Sequence, residues 1–148
     1  MKLPKYEIEA EDSLNVFEFV SVGTKGNIPK LIKFSETALN DFYNLAFGDK
    51  NILTGEIDDL VISNNGDSER VLATIVSAVY AFTDKEINAW VYATGSTPAR
   101  TRLYRSGITK YLDEVKNDFE VYGLLNGEWE YFEKDVDCTA FLVRRLRK

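Results

Sequence analysis

Residues 71–82, with the sequence VLATIVSAVYAF, are the stretch that decides the fold. Apart from Thr74 and Ser77, the segment is apolar around its whole circumference when it is drawn as a helix. A surface helix has one apolar stripe, so this pattern predicts a helix that other elements cover on more than one side. Asp67, just before it, can accept hydrogen bonds from the free N–H groups of the first turn. We therefore expect a central helix over residues 68–84.

The segments before this helix have the alternation and the composition of β-strands. Four strands are predicted, at residues 14–22, 28–34, 42–47 and 57–63. The glycine-containing turn GTKGN at residues 23–27 joins the first two and predicts a hairpin. This half of the chain is therefore expected to begin as an antiparallel sheet.

The second half of the chain predicts one more helix and further strands. Pro98 suits the first position of a helix, because its missing N–H costs nothing there, and the helix is expected over residues 98–115. Residues 126–127, Asn-Gly, are a strong hairpin signal. The last apolar run could be strand or helix, and we favour a strand. The predicted strands cover residues 89–93, 119–124, 129–132 and 139–146.

The resulting order is β-β-β-β-α-β-α-β-β-β, which predicts the α+β class. We expect a mostly antiparallel, curved β-sheet packed around the central helix (68–84) and the second helix (98–115). A length of 148 residues fits a single domain over residues 1–148. The aromatic residues fall on strand positions, and we expect them to pack in the core.

Composition excludes several classes of function. The chain has 18 basic and 24 acidic side chains, a net charge of −6, so general coating of nucleic acid is not expected. It has no histidine and one cysteine, Cys138, which removes Ser-His and Cys-His nucleophile pairs and most metal sites. We expect no metal, no cofactor and a buried, inert thiol. The acidic loop with Glu56, Asp58 and Asp59 lacks calcium-loop spacing and predicts a solvated turn.

The N-terminus lacks the apolar stretch of a secretory signal, and no apolar run is long enough to cross a bilayer. With no possible intrachain disulfide, the cytoplasm is the expected location, and no membrane partner is expected.

Residues 95–105, GSTPARTRLYR, have more chemistry than folding requires. A predicted strand ends at Gly95, two hydroxyls follow at Ser96 and Thr97, and a helix begins. Free N–H groups at a helix start favour an anion, and arginine forks can close on a phosphate or carboxylate. The candidate anion-binding residues are therefore Gly95, Ser96, Thr97, Arg100, Arg102 and Arg105.

Helical geometry limits how these arginines can act together. At 100° per residue, Tyr104, Ile108, Tyr111 and Val115 define the buried face of the second helix. Arg100 and Arg105 border that face from opposite sides, and Arg102 points away from it. The alternative interpretation is that Arg100 and Arg105 form ion pairs with some of the 15 acidic residues among residues 1–99.

Several segments resemble a family of small bacterial proteins of unknown function. The segments that carry this resemblance are YNLAFGD at 43–49, SNNGD at 63–67 and GSTPARTRLYR at 95–105. The resemblance extends over most of the chain and implies a cytoplasmic, single-domain bacterial protein. It implies no activity.

These observations favour a non-catalytic binding module that recognises a phosphate-bearing or otherwise anionic partner, such as a small molecule or a nucleic-acid backbone. One alternative is an enzyme for a phosphorylated or nucleic-acid substrate that uses carboxylate, Tyr, Lys or Ser/Thr groups for proton transfer. Another is a protein–protein interaction in which the acidic residues of the first 99 positions contact a basic partner.

Overall fold

The computed structural model describes residues 5–10, 15–58, 64–94, 98–134 and 136–146. Two long helices and eight strands form its regular structure. In chain order they are β1 (Glu9–Ala10), β2 (Val16–Gly23), β3 (Gly26–Glu36), β4 (Phe42–Asp49), α1 (Ser68–Lys85), β5 (Trp90–Ala93), α2 (Pro98–Val115), β6 (Phe119–Leu125), β7 (Glu128–Tyr131) and β8 (Ala140–Arg145).

The strands form one open sheet in the order β1-β2-β3-β4-β5-β8-β6-β7. The hairpin and C-terminal pairs are antiparallel, whereas β4 and β5 run parallel, with α1 as the connection between them. The predicted α+β class, the mostly antiparallel sheet and the order of elements are confirmed. The two helices lie where the sequence predicts them, and the last apolar run is a strand.

At two places the strands of the structure do not match the predicted strands one for one. The two-residue strand β1 was not predicted, because it is too short to show alternation. The predicted strand at residues 57–63 lies mostly outside the described residues. Of its described members, Ile57 forms an isolated bridge with Lys50, and Asp58 is in no strand. Among the described strands β4 is the fourth before α1, and the predicted strand at residues 57–63 stays a prediction because residues 59–63 are not described.

The chain divides into two compact units. The first unit consists of Met1–Phe34 and Ala46–Lys85, and the second consists of Ser35–Leu45 and Glu86–Lys148. The division passes through β3 and β4, so each of these strands contributes residues to both units.

The core of the first unit forms where α1 meets aromatic strand residues. Residues 71–75 are all buried, as the apolar circumference of this segment predicts, whereas Val76, Val79 and Tyr80 are only half-buried. Phe82 stacks on Phe34 with ring centroids 4.2 Å apart, and Phe17 meets Phe34 edge to face at 5.9 Å. Such contacts bury large apolar areas and favour one arrangement of the rings.

The core of the second unit contains the apolar side of α2 and alternate residues of its strands. Val91, Val121 and Phe141 are buried, and their neighbours along each strand point to the opposite side of the sheet. The hairpin between β6 and β7 turns at Asn126 and Gly127, both with positive φ (53° and 81°), as the Asn-Gly pair predicts. Among the described helices, none combines the length and apolarity needed to span a membrane.

Candidate functional site

Helix α2 positions the candidate anion site. Tyr104, Tyr111 and Val115 are buried and Ile108 is half-buried, so the predicted inner face is confirmed. Arg102 is exposed and Arg105 is half-buried, as the helical angles require. No acidic residue lies in the first turn of α2 to offset the positive end of the helix dipole.

Arg105 is paired with Asp137, a residue 32 positions later on the chain. The guanidinium Nη1 donates to Oδ1 of Asp137, and the arginine side chain is 26% exposed while the aspartate side chain is 94% exposed. Arg105 therefore forms an ion pair with a carboxylate of the same chain, as the alternative interpretation predicts. The partner, however, comes from residues 100–148 and not from the acidic first 99 residues.

The other predicted site residues differ in how much of them the structure describes. Gly95, Ser96 and Thr97 lie outside the described residues, and so does the side chain of Arg100, whose backbone belongs to α2. The Arg102 side chain has no recorded ion pair within the described part of the chain. Arg102 and Arg105 are three residues apart and are therefore neighbours on the helix surface.

A hollow of about 640 Å³ opens beside Arg105. Arg105, Ser106, Thr109, Lys110 and Asp137 line it, so it presents two cations, two hydroxyls and one carboxylate. The three residues from α2 that the sequence analysis missed lie within five positions of Arg105. Helical periodicity from Arg102 through Ser106 to Thr109 could have identified this face. Nothing in the sequence connects Asp137 to Arg105, because only the return of the chain from β7 brings them together.

Cys138 is buried, as predicted. Burial raises the pKa of its thiol, an effect that the nearby Arg105 guanidinium opposes and the Asp137 carboxylate reinforces. Thiolate formation at neutral pH is thus disfavoured, which fits a packing role for this side chain.

The first unit contains a buried ion pair that the sequence analysis did not predict. Nζ of Lys30 donates to Oδ1 of Asp49 at 2.6 Å, and the two side chains are 3% and 9% exposed. The same ammonium lies 5.6 Å from the centroid of the Phe47 ring. A charge this deeply buried needs a partner of opposite sign, and this pair joins a residue of β3 to a residue of β4.

A second buried polar cluster holds the β2–β3 hairpin. Asn65, 1% exposed, accepts a hydrogen bond from the Lys25 N–H through Oδ1 (2.6 Å) and donates from Nδ2 to the Gly26 carbonyl (2.9 Å) and to Oγ of Ser21 (3.1 Å). The Asn65 carbonyl accepts from the Thr24 N–H. A side chain at Gly23 would overlap the Asn65 carbonyl, which is why glycine is required there.

Asp67 connects this cluster to α1. It lies directly before the helix, as predicted, but the first-turn N–H of Val71 donates to its backbone carbonyl and not to its carboxylate, so the predicted side-chain cap needs correction. Its carboxylate Oδ2 accepts hydrogen bonds from the Tyr6 hydroxyl and from Oγ of Ser21, both at 2.5 Å. The Asp67 carboxylate therefore joins the hairpin to the start of the helix. Among the described residues, no group of three or more potential metal ligands is found.

A further hollow, of about 930 Å³, lies in the first unit and carries charges of both signs. Among the described residues that line it, cations do not outnumber carboxylates, so these residues offer an anion no net attraction. The residues that line it are Lys5, Tyr6, Glu7, Ile8, Glu9, Glu18, Phe19, Val20 and Arg70.

Aromatic rings cross one side of the second unit's sheet, where core packing was expected. Trp90 lies 5.8 Å from Phe42 on β4 and 5.9 Å from Tyr122 on β6, and Tyr122 lies 5.0 Å from Tyr131 on β7. Tyr131 is 74% exposed, so the expectation of burial is wrong for the outer end of this row. Cross-strand aromatic pairs stabilise a sheet even on its solvent side.

The fold and the α2 site define an α+β protein with a cationic, hydroxyl-bearing hollow. The model of a family of unknown function, DUF6934, matches residues 2–146, and the chain belongs to that family. No curated protein and no solved structure matches the chain significantly.

Proposed function

We propose that this protein is a non-catalytic binding module that takes a phosphate-bearing partner on the outer side of α2, within the bacterial cytoplasm. The ligand would contact Arg102 and Arg105, together with the hydroxyls of Ser106 and Thr109. Gly95, Ser96 and Thr97, which precede this face in the sequence, would extend the same site, whereas Arg100 would have to reach the ligand from the opposite border of the helix.

The observation that carries the proposal is the contrast within the Arg105–Asp137 pair. The arginine is largely covered beside an open hollow, whereas its carboxylate partner is almost fully exposed. An exposed carboxylate gains little from an ion pair, because water and salt screen it. A phosphate, with more charge and more acceptor oxygens, could replace Asp137 as the partner of the guanidinium.

The test is the thermal stability of the full chain during titration with inorganic phosphate, a nucleoside diphosphate and a short single-stranded oligonucleotide. A ligand that binds the folded state stabilises it by RT ln(1 + [L]/Kd), so the midpoint should rise with concentration. The three probes distinguish a small phosphate ligand from a nucleic-acid backbone.

Three variants test the site, and each has a different expected effect on phosphate binding. Asp137→Asn removes the competing carboxylate and should tighten phosphate binding several-fold, whereas Arg105→Ala should abolish the stabilisation. Lys116→Ala makes the same change of net charge as Arg105→Ala at an exposed position outside the hollow, and it should leave binding unchanged.

If Asp137→Asn and the wild type both fail to respond to every probe, the arginine pair is structural and the proposal is wrong. Conversion of a phosphate ester during the titration would instead support the enzyme alternative.

A further inference from the structure

Strand β7 is a free edge of the sheet. It is the last strand in the order and pairs only with β6 among the described strands. All four of its residues, Glu128 to Tyr131, are exposed. Exposed edges attract other strands, and proteins normally shorten, cover or charge them.

The register of the β6–β7 ladder shows which backbone groups of β7 face outward. The Phe132 N–H donates to the Val121 carbonyl at 3.0 Å, so these two residues are a hydrogen-bonded pair. Hydrogen-bonded and non-bonded pairs alternate along an antiparallel ladder. Because Tyr131 pairs with Tyr122 and Trp129 with Leu124, the N–H and C=O groups of Tyr131 and Trp129 point away from β6.

The two sides of β7 differ in chemistry. Trp129 and Tyr131 point to one side and continue the aromatic row, with Trp129 edge to face against Tyr92 at 6.0 Å and Tyr131 against Tyr122. Glu128 and Glu130 point to the other side, by the alternation of a strand. One side of β7 therefore carries the aromatic rings, and the other side carries the carboxylates.

A hollow of about 400 Å³ adjoins the carboxylate side. Leu125, Val136 and Cys138 contribute apolar groups to its lining, and Glu130 and Glu133 contribute carboxylates. Gly123 lies opposite Glu130 and contributes no side chain, and a Cβ there would overlap Sγ of Cys138. Such a hollow fits the apolar stem of a lysine or arginine with its charge held by the carboxylates.

We propose that β7 docks an extended, basic segment of a partner protein, which adds a ninth strand to the sheet. Lys or Arg residues at alternate positions of that segment face Glu128 and Glu130, and the apolar residues between them pack on Trp129 and Tyr131. Strand addition of this kind takes affinity from main-chain hydrogen bonds and specificity from alternate side chains. The proposal is independent of the anion site on α2.

Charge complementarity selects this occupant over a second copy of the chain. Pairing two β7 strands would place the carboxylates of both copies on one side of the joint sheet, and like charges across a strand pair are destabilising. A phosphate backbone would meet the same carboxylates and is disfavoured for the same reason.

The probe is the capped peptide KVKVKV, compared with EVEVEV and with KKKVVV, which has the same composition without alternation. Binding is followed by tryptophan fluorescence, since Trp129 lies on β7 and the chain has 2 tryptophans in all. We expect KVKVKV to bind at least tenfold more tightly than either control peptide.

Amide hydrogen exchange supplies the decisive signature. On binding KVKVKV, the N–H groups of Trp129 and Tyr131 should become protected, whereas those of Glu128 and Glu130, which already face β6, should change little. A ligand that only attracts the carboxylates would produce no such alternation.

Two matched pairs of variants isolate the backbone and the charge. Tyr131→Pro and Tyr131→Ala both remove the ring, but only proline removes the outward N–H, and it spares the β6 ladder. Tyr131→Pro should therefore bind at least tenfold more weakly than Tyr131→Ala. Glu130→Gln should weaken binding several-fold and reduce its salt dependence, whereas Asp113→Asn, an exposed carboxylate on α2, should not.

Equal binding of KVKVKV and EVEVEV, or of the Pro and Ala variants, would overturn the proposal. So would concentration-dependent dimerisation that Tyr131→Pro abolishes, because the occupant would then be a second copy. Exchange protection of the β6–β7 ladder without peptide verifies that each variant is folded.

Discussion

Each compact unit pairs a basic side chain with a carboxylate from another strand, but the surroundings of the two pairs differ. In the first unit, Lys30 and Asp49 are 3% and 9% exposed. In the second unit, Arg144 donates to Oε2 of Glu120 from Nε at 3.0 Å and from Nη2 at 2.8 Å, and these side chains are 41% and 26% exposed. The guanidinium of Arg144 also covers the Trp90 ring at 4.4 Å.

Similar ion pairs therefore have different consequences in the two units. A buried pair is costly to break, because the remaining charge cannot reach water, whereas a half-exposed pair is readily replaced by hydration. The first unit therefore uses its polar residues to fix its internal arrangement. The second unit displays polar and aromatic groups on its surface, where both candidate binding regions lie.

Breaking the buried pair should have the largest effect. Asp49→Ala leaves the Lys30 ammonium without this carboxylate and should lower the free energy of unfolding by about 3–5 kcal/mol. Glu120→Ala should cost only about 0.2–1 kcal/mol, since its pair is half-exposed. Urea denaturation measures both values. The double variant Lys30→Met/Asp49→Leu should recover most of the lost free energy of unfolding. Equal losses for Asp49→Ala and Glu120→Ala would contradict the contrast between the two pairs.

A substitution that destabilises the first unit should destabilise the second unit by the same amount. We propose that residues 1–148 are a single folding domain, because β3 and β4 contribute to both units. Both tryptophans lie in the second unit, so their fluorescence reports on that unit alone, while circular dichroism reports on the whole chain. The urea midpoint of Asp49→Ala should fall identically by both probes. Separate transitions would mean that the units unfold independently.

The two hairpins should differ by a smaller amount. Asn65→Ala leaves turn groups of the β2–β3 hairpin without their hydrogen bonds and should cost about 2–3 kcal/mol. Asn126→Ala affects only a local left-handed residue in an exposed turn and should cost about 1 kcal/mol. Thermal unfolding of the two variants provides the comparison. If Asn126→Ala were the more destabilising change, the β2–β3 hairpin would not depend on Asn65.

The smallest effect concerns the aromatic row at high pH. Burial, together with hydrogen bonds to Tyr131 and Glu120, raises the pKa of Tyr122 to about 12 from 10.0. The unfolded chain then ionises first, so this contribution to stability is complete below pH 10 and is lost as the pH rises from about 10 to about 12. Phenolate absorbance of the wild type and Tyr122→Phe identifies this titration, and Glu120→Gln should shift it to lower pH. An unchanged titration in Glu120→Gln would rule out the carboxylate's part in the shift.

The candidate sites show why prediction from sequence succeeded unevenly. The exposure of Arg102 and the burial of Tyr104 and Tyr111 follow from 3.6 residues per turn, which acts over a few neighbouring residues. The pairing of Arg105 with Asp137 and of Lys30 with Asp49 joins residues far apart in the chain, and no local pattern reveals it.

Local chemistry therefore determined the helices α1 and α2, the two hairpins and the order of elements, since each depends on short-range periodicity or turn residues. Tertiary structure alone decided which carboxylate meets which cation, which strands lie at the edges of the sheet and which aromatic rings face solvent. These outcomes depend on strand order and register, which arise when distant segments pack together and their charges and rings must be accommodated in the same sheet.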